Sequence, residues 1–238
     1  MPSLNPAQIS RPGSPPMSTY VLIPGAASTP WHWHLVEAEL QRRGHGVVVV
    51  DLPIDDDSAG LAEYADAVVD AIGDREGVIV VAHSFAGFTA PLVCERLRVE
   101  RLVLVTAMIP SPGESPSDWW SNTGYEQARR KQEARDGGTS DEIGLFYHDL
   151  PAELAAEAFG RQRRQSGTPF EQPWALARWP DVPTTFLLCR HDRFFPAEFM
   201  RRVARDRLGI VVDEIDGGHY VILSRPLELA DRLESYAA

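Results

Sequence analysis

Three side chains that could together carry out acyl transfer lie just beyond apolar runs of the sequence. Ser84 lies in VVAHSFAG, Asp192 follows TTFLLC, and His219 follows EIDGG. A nucleophilic serine needs a base to take its proton, and the base needs a carboxylate to orient it. Where such a serine occupies a sharp strand-to-helix turn of an α/β sheet, these groups follow in the order serine, acid, histidine. The sequence therefore predicts a catalytic triad of Ser84, Asp192 and His219.

The turn around Ser84 departs from the usual G-x-S-x-G pattern. Ala82 and Ala86 occupy the two glycine positions, and Gly87 follows. Small residues are needed there because the strand and the following helix crowd each other. Alanine adds one methyl group, so the motif is weakened rather than lost. A serine that caps the N-terminus of a helix is the alternative interpretation.

Asp192 and His219 also have simpler interpretations. Asp192 could pair with the adjacent Arg193 in a surface loop, and the Gly-Gly-His segment could be an ordinary turn. The carboxyl ends of parallel strands meet at one edge of a sheet, where ligands of such sheets bind. Because Ser84, Asp192 and His219 all follow predicted strands, the catalytic interpretation is favoured.

Acyl transfer also needs donors for the negative charge that develops on the carbonyl oxygen. The N–H of Phe85, directly after the serine, is one predicted donor. The other is the N–H of Ala26, in the loop IPGAAS after the first strand, where Gly25 allows the backbone to turn. We expect Ala26 and Phe85 to form an oxyanion hole.

The elements that must position these residues alternate between strand and helix. Continuous apolar runs predict buried strands at 20–23, 47–50, 77–82, 101–106, 184–189 and 210–215. Helical spacing and stop signals predict helices at 31–43, 61–72, 85–96, 197–208 and 226–236. The predicted fold class is α/β, with a doubly wound, mostly parallel sheet.

The alternation stops once, at about 110–182, where helical patterns without strands follow one another. This insertion predicts a small helical cap over the carboxyl edge of the sheet. Small-molecule sites are mostly apolar, so cap aromatics and residues near the triad are candidates for a substrate pocket. The candidates are Ala27, Trp119, Phe146, His148 and Tyr220.

The composition limits the classes of partner. The 238-residue chain has a formal net charge of −11, which disfavours nucleic acids and anionic membranes as partners. Residues 1–18 contain Pro, Ser and Gly but no apolar core of a secretory signal, and we expect a disordered lead-in before a domain at 19–238. A cytoplasmic location, no cofactor, no metal site and a possible homodimer complete these expectations.

Four segments resemble the α/β-hydrolase superfamily, and within it the group of plant methyl esterases, hydroxynitrile lyases and their bacterial relatives. The segments are VLIPGAASTPWHW, AHSFAG, LLCRHDRFFPAEF and GGHYVILSRP. The resemblance implies the same triad and oxyanion donors. Two departures stand out. Pro24 replaces a histidine that orders the first loop, and Tyr220 replaces the lysine that follows the catalytic histidine in the lyases.

The residues and the resemblance together favour a cofactor-free serine hydrolase. Its substrate would be a small carboxylic ester or lactone, cleaved through an acyl-enzyme. The altered first loop leaves two alternatives open. One is a lyase, cyclase or decarboxylase that uses His219 as a base, because a fold does not fix a function. The other is a small-molecule receptor with a slow triad.

Overall fold

The computed structural model of the protein describes residues 18–138 and 141–237. The predicted lead-in at 1–18 therefore lies outside the described residues, except for Ser18. Ser18 is buried, and its carbonyl accepts a hydrogen bond of 3.1 Å from Gly46 N–H. The ordered sheet thus begins to make contacts at residue 18.

Six parallel strands form the sheet of the described residues, in the order β2-β1-β3-β4-β5-β6. They are β1 Thr19–Ile23, β2 Gly46–Val49, β3 Val78–His83, β4 Arg101–Val105, β5 Thr184–Cys189 and β6 Asp213–Ile215. The predicted α/β class with a parallel sheet is confirmed. The last strand is shorter than the predicted 210–215, because the chain before Asp213 does not pair with β5 and Val211 is almost fully exposed.

The described helices cover both faces of the sheet. They are α1 His34–Arg42, α2 Leu61–Ile72, α3 Ala90–Arg96, α4 Pro116–Thr123, α5 Tyr125–Asp136, α6 Glu142–Phe146, α7 Ala152–Gly160, α8 Thr168–Glu171, α9 Ala197–Leu208, α10 Val221–Ser224 and α11 Pro226–Ala237. Side chains of α2, α3 and α9 form one apolar core, and those of α1, α10 and α11 form a second. Alternate strand residues such as Val21 and Leu22 contribute to opposite cores, as the two-residue period of a strand requires.

Two predicted helices begin later than expected. Each predicted segment opens with a 3₁₀ turn, at Pro30–Trp33 and at Ser84–Gly87, and the α-helix follows. Proline lacks an N–H and suits the first turn of a helix, so Pro30 opens the first of these turns and Pro91 lies in the first turn of α3. The tight turn at Ser84–Gly87 changes the direction of the chain directly after β3.

The helices α4 to α8 lie between β4 and β5, inside the predicted insertion at 110–182. Hydrogen bonds to backbone carbonyl groups of the sheet domain hold this cap in place. Trp174 Nε1 donates to Phe88 O over 3.1 Å, and Ser166 N–H donates to Ile54 O over 2.6 Å. Among the described residues, no helix is long and apolar enough to cross a membrane.

Candidate active site

Backbone strain is concentrated at the carboxyl edge of the sheet. In the described part of the chain, the non-glycine residues with positive φ are Ala27 (56°), Ser84 (53°) and Thr106 (38°). They follow β1, β3 and β4 respectively. Such conformations are unfavourable for residues with a Cβ and persist only where the surroundings impose them. The three strained residues therefore mark one edge of the sheet as a specialised region.

Glycine is required beside the serine, at positions other than those of the usual motif. A Cβ on Gly87 would lie 1.8 Å from Met108 O, and one on Gly25 would lie 2.9 Å from Ser84 Cβ. Ala82 and Ala86 are buried. The sharp turn at Ser84 thus accommodates both alanines, because the closest backbone approach falls at Gly87.

The side chains of Ser84, Asp192 and His219 meet in one line of hydrogen bonds. His219 Nε2 lies 3.0 Å from Ser84 Oγ, and His219 Nδ1 lies 2.8 Å from Asp192 Oδ2. Ser84 is 8% exposed, His219 2% and Asp192 1%. The serine is therefore the member of this line that a small molecule reaches first.

Asp192 is held as an acceptor by several donors. Besides His219, Thr106 Oγ1 donates to Oδ2 over 2.6 Å, and the N–H groups of Phe194 and Phe195 donate to Oδ1 over 2.8 Å and 2.9 Å. Burial by itself raises the pKa of this carboxyl group. The charge of His219 and these hydrogen bonds outweigh burial, so the pKa lies below its usual value. Asp192 therefore remains a carboxylate that can orient His219.

A second histidine supports the backbone of His219. His83 is fully buried, and its Nε2 lies 2.8 Å from His219 O. Because that oxygen can only accept, His83 Nε2 carries the proton. Burial, with a smaller contribution from His219, lowers the pKa of His83 to about 3. His83 therefore holds the His219 turn as a neutral donor.

The N–H groups of Ala26 and Phe85 are the predicted oxyanion donors. Within the described residues, no protein acceptor takes a hydrogen bond from either group. Phe85 is buried, and buried backbone N–H groups are almost always paired, so a free donor directly after a strained serine is unusual. The two groups are available to a ligand oxygen.

Aromatic rings surround the His219 imidazole. The ring centroids of Phe194, Phe146 and Tyr220 lie 5.1, 5.3 and 5.8 Å from its centroid. Phe146 and Phe194 are half-buried, whereas the Tyr220 hydroxyl lies 2.9 Å from Ser28 Oγ. These contacts give the site an apolar wall, in which the predicted pocket residues Phe146 and Tyr220 take part.

The other predicted pocket residues lie in different places. Ala27 is half-buried in the first loop. Trp119 has no exposed surface, and its Nε1 donates to Ile109 O over 2.9 Å, so its ring belongs to the core and not to an open pocket. His148 Nε2 donates to His191 O over 2.9 Å, and it lines a separate cleft.

That cleft lies between α5 and α9 and has a volume of about 1270 Å³. Ser84, Asp192 and His219 do not line it. Its walls carry seven Lys or Arg side chains and three Glu side chains, in a chain whose net charge is −11. No group of three or more His, Cys, Asp and Glu side chains within 18–138 and 141–237 is arranged to hold a metal ion.

Two residues that contact the site are not among those predicted from the sequence. Thr106 follows β4, and as a polar residue at the carboxyl end of a strand it carried the same signal as Asp192. Gln165, in the cap, accepts a hydrogen bond of 3.1 Å from Ala27 N–H. No sequence pattern marks Gln165, because the contact depends on how the cap folds back over the first loop.

Comparison with known proteins extends these observations. The profile of the alpha/beta hydrolase family matches residues 20–232. Methylesterase 9 of Arabidopsis thaliana is 25% identical, over 91% of this chain and 97% of its own. Norfluorocurarine synthase 1 of a Strychnos species is 23% identical, over 92% of this chain and 94% of its own. The crystal structure of polyneuridine aldehyde esterase superposes with a TM-score of 0.75 at 21% identity, covering 93% of this chain and 100% of that one.

The family match spans most of the chain and includes Ser84, Asp192 and His219. The methylesterase among the relatives agrees with the resemblance seen in the sequence, and the superposition agrees with the parallel sheet and its helices. On this evidence the chain belongs to the α/β-hydrolase family.

Proposed function

We propose that the protein is a serine hydrolase that cleaves a small carboxylic ester or lactone through an acyl-enzyme. The observation that carries the proposal is the continuous hydrogen-bonded line from Ser84 Oγ through His219 to Asp192, at 3.0 Å and 2.8 Å. A hydroxyl, an imidazole and a carboxylate in this arrangement are the groups that nucleophilic catalysis by serine requires.

In the first half of the reaction, His219 Nε2 takes the proton of Ser84 Oγ as that oxygen attacks the substrate carbonyl carbon. The carbonyl oxygen gains negative charge and accepts hydrogen bonds from Ala26 N–H and Phe85 N–H. When the tetrahedral intermediate collapses, the carbon–oxygen bond to the leaving alcohol breaks, and His219 donates its proton to that oxygen. The product is an ester of Ser84.

In the second half, water takes the place of the alcohol. His219 removes a proton from the water as its oxygen attacks the Ser84 ester, and the carboxylic acid is released with Ser84 reprotonated. Asp192 stays ionised throughout and stabilises the imidazolium that forms twice per cycle. The residues of this chain suffice for both halves, and no cofactor takes part.

The relatives support an ester as the substrate class. Both a methylesterase and polyneuridine aldehyde esterase are similar to this chain over nearly its whole length. The aromatic wall of Phe146, Phe194 and Tyr220 favours an apolar acyl or alcohol group beside the reacting carbonyl.

A fluorophosphonate probe tests the assignment, because it is attacked by activated serines and forms a stable adduct. We expect one adduct on the parent protein and none on Ser84→Ala. Ser235→Ala is the matched control: Ser235 is exposed on α11, and its substitution leaves labelling unchanged. Labelling of the Ser84→Ala variant at the parental rate would contradict the proposal.

A non-hydrolytic reaction on the same site is the second candidate, favoured by the similarity to norfluorocurarine synthase 1. Here His219 would act as a base on a bound metabolite without forming an ester of Ser84. Turnover of a p-nitrophenyl ester distinguishes the two candidates. Steady hydrolysis that depends on Ser84 supports the hydrolase, and its absence in a correctly folded protein favours the second reaction.

A further inference from the structure

The first loop, Pro24–Thr29, carries Ala26 N–H, one of the two proposed oxyanion donors. Within the loop, Ser28 N–H donates to Gly25 O over 3.2 Å, and this bond does not hold Ala27. Pro24 has neither an N–H nor a polar side chain, and Ala27 has a positive φ of 56°. A strained residue in a short loop keeps its conformation only if other parts of the structure hold it. The source of that support determines where Ala26 N–H points.

Both backbone groups of Ala27 are bonded to the cap. Its carbonyl accepts from Arg163 N–H over 3.0 Å, and its N–H donates to Gln165 Oε1 over 3.1 Å. A further contact from the cap reaches the turn that follows the loop, where His32 Nε2 lies 3.1 Å from Ala158 O. The loop is therefore held by α7 and by the segment between α7 and α8.

The bond to Gln165 fixes one particular peptide plane. The N–H of that plane is Ala27 N–H, and its carbonyl is that of Ala26, which accepts from Ser28 Oγ over 3.3 Å. A peptide unit is rigid, so holding both of its ends fixes its orientation. Ala26 N–H lies on the preceding unit, whose carbonyl, Gly25 O, accepts from Ser28 N–H over 3.2 Å. The two units meet at the Ala26 Cα, so a displacement of the Ala26–Ala27 unit also moves the unit that carries Ala26 N–H.

Gln165 is itself held in the orientation that this bond needs. Its Nε2 donates to Tyr64 OH over 2.9 Å and to Ser166 O over 3.1 Å. A carbonyl oxygen can only accept, so the amide nitrogen faces Ser166 and the amide oxygen faces Ala27 N–H. Tyr64 is fully buried on α2, which anchors Gln165 to the sheet domain.

We propose that Gln165 is a positioning residue for the oxyanion hole, which makes the cap part of the catalytic machinery rather than only a cover. The inference rests on the proposed function. Gln165 does not touch the reacting atoms. It acts through the Ala26–Ala27 peptide, so it affects the stabilisation of the transition state more than the binding of the substrate.

Steady-state kinetics of Gln165→Leu tests this role. We expect kcat to fall about tenfold while KM changes less than about twofold, because the displaced donor serves the charged intermediate and not the ground state. The affinity for a boronic acid, which mimics that intermediate, should fall by the same factor, and the shape of the pH profile should not change. An unchanged kcat, or a loss that lies wholly in KM, would overturn the proposal.

The control is a second cap glutamine with the same kind of contact. Gln172 Oε1 accepts from the backbone N–H of Leu61 over 2.8 Å, away from the first loop. We expect Gln172→Leu to leave kcat and boronic acid affinity unchanged. If Gln165→Leu and Gln172→Leu lowered kcat equally, the effect would be a general loosening of the cap, and the proposal would fail.

A double-mutant cycle with Tyr64 separates positioning from general stability. Tyr64→Phe removes an acceptor of Gln165 Nε2, and we expect it to lower kcat about twofold in the parent. In the Gln165→Leu background the same change should have no further effect, because Tyr64 acts on the loop through Gln165. Independent, additive losses in kcat would contradict this chain of contacts.

Hydrogen exchange of the Ala27 amide distinguishes failure of this inference from failure of the proposed function. We expect slow exchange in the parent and in Gln172→Leu, and fast exchange in Gln165→Leu, which removes the acceptor of the Ala27 N–H. This pattern in a protein without esterase activity would reject the hydrolase while keeping the role of Gln165 in ordering the loop. Slow exchange in Gln165→Leu would reject that role even if the protein were an active hydrolase.

Discussion

The charged cleft between α5 and α9 and the serine site are built in opposite ways. The cleft is open and lined by more cations than anions, some of which are paired, as Arg190 is with Glu214 at 2.8 Å. The serine site is buried and has strained backbone, and its Ala26 and Phe85 N–H groups have no protein acceptor in the part of the chain that the structure describes. Solvated ion pairs contribute little energy, whereas strain and unpaired buried donors are costly.

The difference shows which features identify a reactive site. The cleft has charged walls but no strained residue among those that the structure describes there, whereas the serine site combines strained backbone with backbone N–H groups that lack a protein acceptor. The proposed function requires such donors for a tetrahedral oxyanion. Each of the following predictions therefore pairs a change at the serine site with a matched change at the cleft, or with a conservative variant at the same position.

The largest difference in kcat is expected between variants of His219, the proposed base, and of Lys131, a surface cation of the cleft. His219→Ala removes the group that accepts the proton of Ser84, and kcat should fall roughly 10⁵-fold. Lys131 is exposed at the cleft, and Lys131→Ala should leave kcat within about twofold. Initial rates on a p-nitrophenyl ester measure both. A large loss of kcat in Lys131→Ala would indicate that the reaction takes place in the cleft rather than at Ser84.

A methyl group should be tolerated at the cleft and not at the turn beside Ser84. A Cβ at Gly87 would overlap Met108 O, so Gly87→Ala should lower the free energy of unfolding by about 3 kcal/mol and abolish turnover. At Gly138, in the cleft, the nearest atom would be 3.4 Å away, and Gly138→Ala should be close to neutral. Urea denaturation measures both, and equal stability of the two variants would contradict the crowding at Gly87.

The buried and exposed histidines should differ in the pH dependence of stability. The pKa of His83 falls from 6.5 to about 3 on folding, so the unfolded chain binds the proton first and stability is lost as the pH falls below 6.5. Between pH 7 and pH 4.5 this loss amounts to roughly 2 to 3 kcal/mol. His83→Gln should remove that part of the pH dependence, while His191→Gln, at an exposed position of the cleft, should not.

Urea denaturation of the parent and both variants at the two pH values checks this prediction. The relevant quantity is the difference in unfolding free energy between pH 7 and pH 4.5 for each protein. If the parent and His83→Gln showed the same difference in unfolding free energy between the two pH values, His83 would not be buried as a neutral group.

The smallest effect on activity is expected from the hydrogen bond that the Thr106 hydroxyl donates to Asp192. Thr106→Val removes the 2.6 Å hydrogen bond to Oδ2, which helps to keep the pKa of Asp192 low. We expect kcat/KM at pH 7 to fall roughly tenfold and the acidic limb of its pH profile to move to higher pH. Thr106→Ser keeps a hydroxyl and should retain most of the activity. Equal rates for Thr106→Val and the parent would show that the bond is dispensable.

The parts of the fold and site that the sequence predicts are those specified by local pattern. The helix at 61–72 and the strand at 184–189 have the predicted bounds, and the serine, acid and histidine lie together because each follows a strand of one parallel sheet. Parallel topology aligns the carboxyl ends of strands, so their order in the chain suffices to bring these groups close.

The remaining features depend on packing that periodicity does not record. Trp119 and Phe146 are both cap aromatics, yet one is buried in the core and the other lies against His219. Gln165 contacts the first loop across 138 positions of sequence. Neither outcome follows from spacing, since each depends on the path of the cap over the sheet.

Rapid-mixing kinetics with a p-nitrophenyl ester, followed by acid quench and peptide mass analysis, tests the central claim most directly. The account predicts a burst of about one equivalent of p-nitrophenol per protein and an acyl group on the peptide that contains Ser84. Steady ester turnover without a burst, with the Ser84 peptide unmodified and Ser84→Ala as active as the parent, would contradict it.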